Sequence, residues 1–321
     1  MQKPSLRTAC ATLALACALP LSANAAEYPS KQIRMLIPFQ PGGSTDILAR
    51  VVATHLGQAW GQQVVADNRP GANGIIAGEI LTKSPADGHT LLFVAMGHAI
   101  NSLIYRKLPY DTERDFTPVS LAALYSQLVL VHPSVPARNV RELIALAKAK
   151  RMTYASGGIG SSQHLAGALF SHMAKIEMSH VPYKGGAPGL IDVMGGNVEM
   201  MITQPTSTEH IKAGKLRALA ISSPKRSPYW PDLPTVSEAG LPGYQSEAWY
   251  GLVAPKNLPA DVLKKLNEET VRALRAPALK ENLAIQGGTP VGSTPAEFTS
   301  FIKAEINRYA KVVKDAGISV E

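Results

Sequence analysis

Two glycine-rich stretches carry the residues whose types and spacing could do chemistry. The first, Pro38-Phe39-Gln40-Pro41-Gly42-Gly43-Ser44-Thr45-Asp46, joins an apolar strand at residues 33–37 to an amphipathic helix with apolar Ile47, Leu48, Val51, Val52 and Leu56. The second, Tyr154-Ala155-Ser156-Gly157-Gly158-Ile159-Gly160-Ser161-Ser162-Gln163-His164, repeats that strand-to-helix form. A helix start leaves its first N–H groups unpaired, and the helix dipole favours negative charge there. Paired glycines let the backbone approach a ligand and adopt anion-cradling dihedrals. The predicted chemistry is capture of one anion by two converging helix N-termini, the layout of a binding protein.

Neither stretch contains Lys or Arg, so the donors would be backbone N–H groups and hydroxyls. Four hydrogen bonds to a charged group, at about 1.5–3 kcal/mol each, give a gross ~6–12 kcal/mol. After ordering costs this is compatible with micromolar-range affinity, about −8 kcal/mol.

Other chemistries fit less well. No lysine follows the glycines in the phosphate-loop pattern. Gly158-Ile159-Gly160 lacks the third glycine of a dinucleotide fingerprint, because Gln163 stands there. Ser161 and Ser162 lack the Gly-x-Ser-x-Gly elbow of a hydrolase and suit helix capping beside an anion. Asp46 suits the helix dipole better than it suits an anion, which it would repel. The eight histidines show neither His-Glu-x-x-His nor His-x-x-x-His spacing, so no metal and no cofactor are expected. His164, in the first helical turn, either donates to ligand or fills a polar niche. Tyr183 and Lys184, at a strand end, either contact ligand or shape the loop. Phe39 is placed against the ligand's apolar part and Trp249 in core or hinge packing.

The elements that must position these loops alternate along the chain. Strand-like runs at residues 63–66, 89–95, 128–131, 152–155, 179–183, 198–203 and 216–221 are separated by helix-like segments. That alternation predicts an α/β fold of mainly parallel sheets with helices on both faces. A proline-rich stretch from Pro224 to Pro242 precedes Trp249-Tyr250-Gly251-Leu252-Val253-Ala254-Pro255 and two strong helices. The last helix opens with Thr294-Pro295-Ala296-Glu297, a capping box with proline at the first helical position. The expected division is two lobes, residues 27–125 with 224–321 forming one and 126–223 the other, facing each other across a cleft.

The N-terminus sets the expected compartment. Lys3 and Arg7 precede a short apolar run, and Ala23-Asn24-Ala25 supplies a small-x-small site, so residues 1–25 read as a cleaved secretory signal. Both cysteines, Cys10 and Cys17, leave with it, which excludes disulfides, zinc–thiolate sites and a cysteine nucleophile from the mature chain. Loss of Lys3 and Arg7 takes the formal charge from +8 to +6. That charge is spread out, with no continuous basic stripe, so nucleic acid is not an expected partner.

In order along the chain, several motifs resemble one family. They are residues 38–46, Asn68-Arg69-Pro70-Gly71-Ala72-Asn73-Gly74, Pro85-Ala86-Asp87-Gly88-His89-Thr90-Leu91, residues 154–164, His180-Val181-Pro182-Tyr183-Lys184-Gly185 and residues 249–255. The chain is similar to the periplasmic solute-binding receptors of tripartite tricarboxylate transporters, the group expanded in Bordetella and relatives. The resemblance implies a two-lobe periplasmic-binding-protein (Venus flytrap) fold that closes on a small organic carboxylate and delivers it to inner-membrane permease subunits. It implies a monomer that is not an enzyme. By the same resemblance, Phe39, Gly42, Gly43, Ser44, Thr45 and Asp46 hold carboxylate oxygens together with Ser156, Gly160, Ser161, Ser162 and His164, partly through water. Ala95, Met96, Gly97, Thr203 and Gln204 line the same cleft, and Tyr183 is a further candidate from its place at a strand end. Gln40, Gly158 and the Thr203-Gln204 pair depart from the family's usual residues and bear on the ligand's far end. The alternatives weighed are an exported α/β hydrolase or isomerase acting on a small carboxylate, and a ligand sensor for a membrane kinase.

Overall fold

Strands that alternate buried side chains to two faces need helices on both, and the chain supplies them. The computed structural model describes residues 27–205, 208–285 and 287–320. The expected signal at residues 1–25 lies outside them. In chain order the elements are β1 (Ile33–Ile37), α1 (Ser44–Trp60), β2 (Val64–Asn68), α2 (Ile75–Thr82), β3 (Thr90–Ala95), α3 (Gly97–Ile104), β4 (Phe116–Ser126) and β5 (Leu128–Val131). There follow α4 (Val140–Ala149), β6 (Met152–Ser156), α5 (Ser162–Ala174), β7 (Met178–Pro182), α6 (Gly186–Met194), β8 (Met200–Thr203), α7 (Thr208–Lys212) and β9 (Arg217–Ile221). The chain ends with β10 (Glu247–Pro255), α8 (Ala260–Arg275), α9 (Pro277–Ile285), β11 (Gly288–Pro290) and α10 (Pro295–Asp315).

Two sheets form the lobes of an α/β fold, one ordered β11-β4-β10-β3-β1-β2 and the other β7-β6-β8-β5-β9. Both are mixed, which corrects the expectation of mainly parallel sheets. Parallel pairing is confined to β1 with β2 and β3, and to β6 with β7 and β8. The late strand β10 inserts antiparallel between β3 and β4, and β5 runs antiparallel to β8 and β9. In both cases the chain has crossed between lobes, so the strand enters its sheet from the opposite end.

In the first sheet, Met35, Ile37, Leu91 and Phe93 face α1 and α8, while Leu36, Leu92 and Val94 face α2, α3 and α10. The buried stripe of α1 is Leu48, Ala49, Val52, Ala53 and Leu56. Ile47 and Val51, expected on that stripe, are 40% and 37% exposed. They lie one turn apart on the flank, at the edge of the apolar sector. The capping box at Thr294 and Glu297 forms with Pro295 at the helix start, and α10 buries Phe298, Ile302, Tyr309, Val312 and Val313. Its core residues join those of α5 and β6 in one cluster spanning both sheets.

The chain passes between the sheets at Gln127 and returns at Ser246, both fully buried. The Gln127 N–H donates to Ser222 Oγ at 2.8 Å, and the Ser246 N–H donates to the Ser222 carbonyl at 3.0 Å. Residues 235–244, expected with the first lobe, pack on the second sheet. The Val236 N–H donates to the Ile221 carbonyl at 2.9 Å, and the Tyr244 hydroxyl donates to the Ala166 carbonyl at 3.0 Å. The prolines break this stretch into turns that follow β9 instead of leaving its sheet.

Candidate functional site

Every expected loop opens at the C-terminal end of a strand, where α/β sheets gather their ligands. In the first lobe β1 leads through residues 38–43 to α1, β2 through a single turn at Ala72–Gly74 to α2, and β3 directly to α3. Gly42 takes φ +88, which a side chain would strain, and its N–H donates to Asp46 Oδ2 at 2.9 Å. Asp46 also accepts from Asn68 Nδ2 at 2.8 Å and from Arg50 Nε at 3.0 Å. Burial raises its pKa most, but the combined donors from Arg50, Asn68 and Gly42 outweigh that and hold the carboxyl below its ordinary value. Asn68 Nδ2 reaches the Phe39 carbonyl as well, at 2.9 Å, so one network shapes the whole loop.

In the second lobe β6 leads to α5, β7 to α6, and β8 ends at Thr203-Gln204. The Gly160 N–H donates to His164 Nδ1 at 3.1 Å, and the Gly158 N–H donates to Ser156 Oγ at 3.0 Å. Ser156 Oγ lies 2.6 Å from His180 Nε2, and the His164 and His180 rings stack at 3.8 Å. Burial lowers both imidazoles, His164 to about 3 with added repulsion from His180, and His180 to about 4. On the open side of the loop, Gln163 Nε2 donates to Gln204 Oε1 at 3.3 Å and approaches Thr203 Oγ1 at 3.5 Å.

The lobes meet at both flanks of the space between these loops. Asn73 Nδ2 donates to the Gly160 carbonyl at 3.3 Å on one side, and Pro205 packs against Gly287 on the other. Asn73 is held by Asn101, whose Oδ1 accepts from Asn73 Nδ2 at 3.0 Å and whose Nδ2 donates to the Asn73 carbonyl at 3.1 Å.

Most of the helices that face this space begin without a side-chain cap. Among the described residues, α1, α2, α3 and α6 begin at Gly43, Gly74, Met96 and Gly185, with no side-chain cap. Helices α4 and α10 begin elsewhere and are capped by Asn139 and Thr294. Helix α8, which follows Pro259 away from the loops, is also without a side-chain cap. Of the facing set, α5 alone has one, Ser161 Oγ accepting from the His164 N–H at 3.3 Å. First-turn amides left without side-chain acceptors on converging helices are suited to binding an anion.

The expected residues therefore divide. Gly42, Gly43 and the half-buried Phe39, Ser44, Ser161 and Ser162 lie on the accessible side of the loops. Phe39, Ala95 and Gly97 line one pocket with Asn73. Thr203 and Gln204 join Gln163. Asp46, Ser156 and His164 instead brace the loops from behind, with their polar atoms engaged as described. Thr45 is buried close to the Tyr250 hydroxyl. The Met96 side chain is buried in the first core, so only its backbone reaches the α3 start. The Tyr183 hydroxyl donates to Asp192 Oδ2 at 2.5 Å, which ties it to α6. The Trp249 ring is fully buried against Phe298 and Phe301. The sequence motifs alone did not single out Asn73 or Gln163. The Asn73-Gly74 pair, a turn signal before a helix, marks the first.

The fold and its cleft define a two-lobed α/β solute-binding protein. A family profile described as tripartite tricarboxylate transporter family receptor matches residues 48–318. Protein BugT of Bordetella pertussis is 38% identical over 309 residues, 95% of this chain and 94% of that protein. A solved R. palustris protein with adipate superposes with a TM-score of 0.84 at 38% identity, covering 91% of this chain and 99% of that one. MatC from Rhodopseudomonas palustris with bound malate gives a TM-score of 0.79 at 31% identity, covering 89% and 100%. The chain belongs to the tripartite tricarboxylate transporter receptor family, whose members are periplasmic receptors.

Proposed function

We propose that this chain captures a small organic carboxylate between its lobes and hands it to the inner-membrane permease subunits of a tripartite tricarboxylate-type transporter. The observation that carries the reading is the set of helix starts without side-chain caps at Gly43, Gly74, Met96 and Gly185, gathered at the strand ends of both lobes. Membership of the receptor family and the similarity to proteins solved with adipate and malate support it. In this reading the chain is exported, loses residues 1–25, acts as a monomer and catalyses no covalent step. Its lobes divide at Gln127 and Ser246, and Gly43, Ser44, Ser162 and Gln163 supply amides to the anion.

A thermal-shift screen of mono-, di- and tricarboxylates tests this reading. A bound acid at a hundred times its dissociation constant stabilises by about 2.7 kcal/mol. Purified protein that shifts with no carboxylate, or that turns one over, contradicts the reading.

A further inference from the structure

Beneath the cleft floor, behind Phe39, Ala95 and Gly97, a pocket of about 10 Å³ reaches His98, Asn101 and Tyr110. His98 Nε2 and the Tyr110 hydroxyl are fully buried, and neither has a hydrogen-bond partner among the described residues. Asn101 approaches the Tyr110 hydroxyl without reaching hydrogen-bonding geometry. Both rings pack edge-on against Phe116, His98 at 4.6 Å and Tyr110 at 5.0 Å between centroids, so their positions are fixed by the core. Burial lowers His98 to about 4 and raises Tyr110 to about 12, which leaves both neutral and able to donate. A buried polar atom without a partner costs about 1–3 kcal/mol, and two of them on residues that line one small pocket is an expensive arrangement unless something bridges them. A volume near 10–15 Å³ with two to four polar neighbours suits one water.

The geometry points to a one-oxygen subsite of the binding cleft, in which His98 Nε2 and the Tyr110 hydroxyl hold a single oxygen supplied by water or by the captured solute. This deepens the proposed carboxylate capture, since the pocket shares Phe39, Ala95 and Gly97 with the cleft. It also touches the contact between the lobes, because Asn101 in its wall clamps Asn73. An oxygen held here fixes the wall from which Asn73 reaches Gly160. The pocket has no room for a carboxylate or a methyl-bearing group, so a solute can fill it only with one projecting oxygen.

High-resolution crystals of the full mature protein, ligand-free and soaked in malate, test the subsite directly. An oxygen within about 3.5 Å of both His98 Nε2 and the Tyr110 hydroxyl is expected. The same isolated oxygen in both crystals assigns water, and its replacement by a malate oxygen assigns the solute. Its absence from both crystals overturns the proposal. Melting of ligand-free Tyr110→Phe gives an independent reading. Loss of a bridged hydroxyl lowers Tm by about 1–3 °C, whereas removal of a partnerless one leaves Tm unchanged or raised and overturns the proposal. Neither ligand-free measurement depends on carboxylate binding, so failure of the subsite and failure of the capture reading are told apart.

Discussion

Asn73 of the first lobe donates to the Gly160 carbonyl of the second at 3.3 Å, and this side-chain bond spans the cleft edge. Asn73 holds φ +50, a left-handed conformation that asparagine tolerates better than most residues. Asn73→Gly removes the side chain without backbone strain. The expected outcome is a two- to tenfold weaker affinity for any acid found in the screen, corresponding to about 0.5–1.5 kcal/mol for a neutral hydrogen bond. Calorimetric titration of the variant checks it, and unchanged affinity would show that the contact does not contribute to closure.

The two cleft glycines differ in what a side chain would meet. At Gly43 the backbone is extended and the nearest neighbour of an added Cβ is the Gln40 carbonyl at 3.9 Å, so Gly43→Val should fold normally. It should nevertheless abolish carboxylate-induced thermal shifts, because the side chain blocks approach to the α1 amides. At Gly160, with φ +77, an added Cβ would lie 2.7 Å from Ile104 Cδ1 and 2.8 Å from Asn73 Nδ2. Gly160→Ala should therefore hold the lobes apart. Small-angle scattering should then show no contraction when a carboxylate is added.

The carboxylate of Asp46 is a structural clamp, and its replacement separates folding from binding. Asp46→Ala strips the acceptor from the Gly42 N–H, Asn68 and Arg50. A loss of about 2–3 kcal/mol is expected, at the scale of hydrogen bonds to a charged group with the exposed Arg50 contributing little. Denaturant titration measures it. Loss of binding with no loss of stability would instead place the Asp46 carboxylate on the ligand.

Much of this was legible in the chain because it is written in local patterns. The glycines at residues 42–43 and 157–160, the capping box at Thr294 and the strand at residues 33–37 each express a local requirement. What was not legible is set by packing across long separations. Strand β10 lies more than a hundred residues from β3 and β4, and nothing in Trp249 to Pro255 marks its antiparallel entry between them. Ser156, His164 and His180 lie behind their loop because Tyr154 and the α5 core fix which way β6 faces, a tertiary fact. Asn73 and Gly160 stand 87 residues apart, and only the packing of one lobe against the other joins them.

The buried histidines predict how stability depends on pH. His164 Nδ1 accepts the Gly160 N–H, and burial lowers His164 to about 3; burial likewise lowers His98 and the half-buried His180 to about 4. In the unfolded chain each titrates near 6.5. Between about pH 6.5 and 4 the unfolded chain therefore binds protons that the native protein excludes, and stability falls as pH falls. The contribution is complete above pH 6.5. His98 and His164 each add a slope of up to about 1.4 kcal/mol per pH unit, and the solvent-screened His180 adds less. The depressed carboxylates Asp46 and Asp67 favour the native state above their unfolded value and lose that contribution only as pH falls below about 4. Guanidinium titrations from pH 7.5 to 4.5 measure the net slope, to which the half-buried Glu247 and the buried Glu305, whose carboxyls burial raises, contribute with the opposite sign; His164→Gln should reduce the histidine part by about one proton. Protonating His164 would also set a ring N–H against the Gly160 N–H, but in the native protein that happens only near pH 3, so carboxylate affinity should hold between pH 6.5 and 4.5. The same slope in wild type and His164→Gln would mean that this imidazole is charged in the native protein, against its burial.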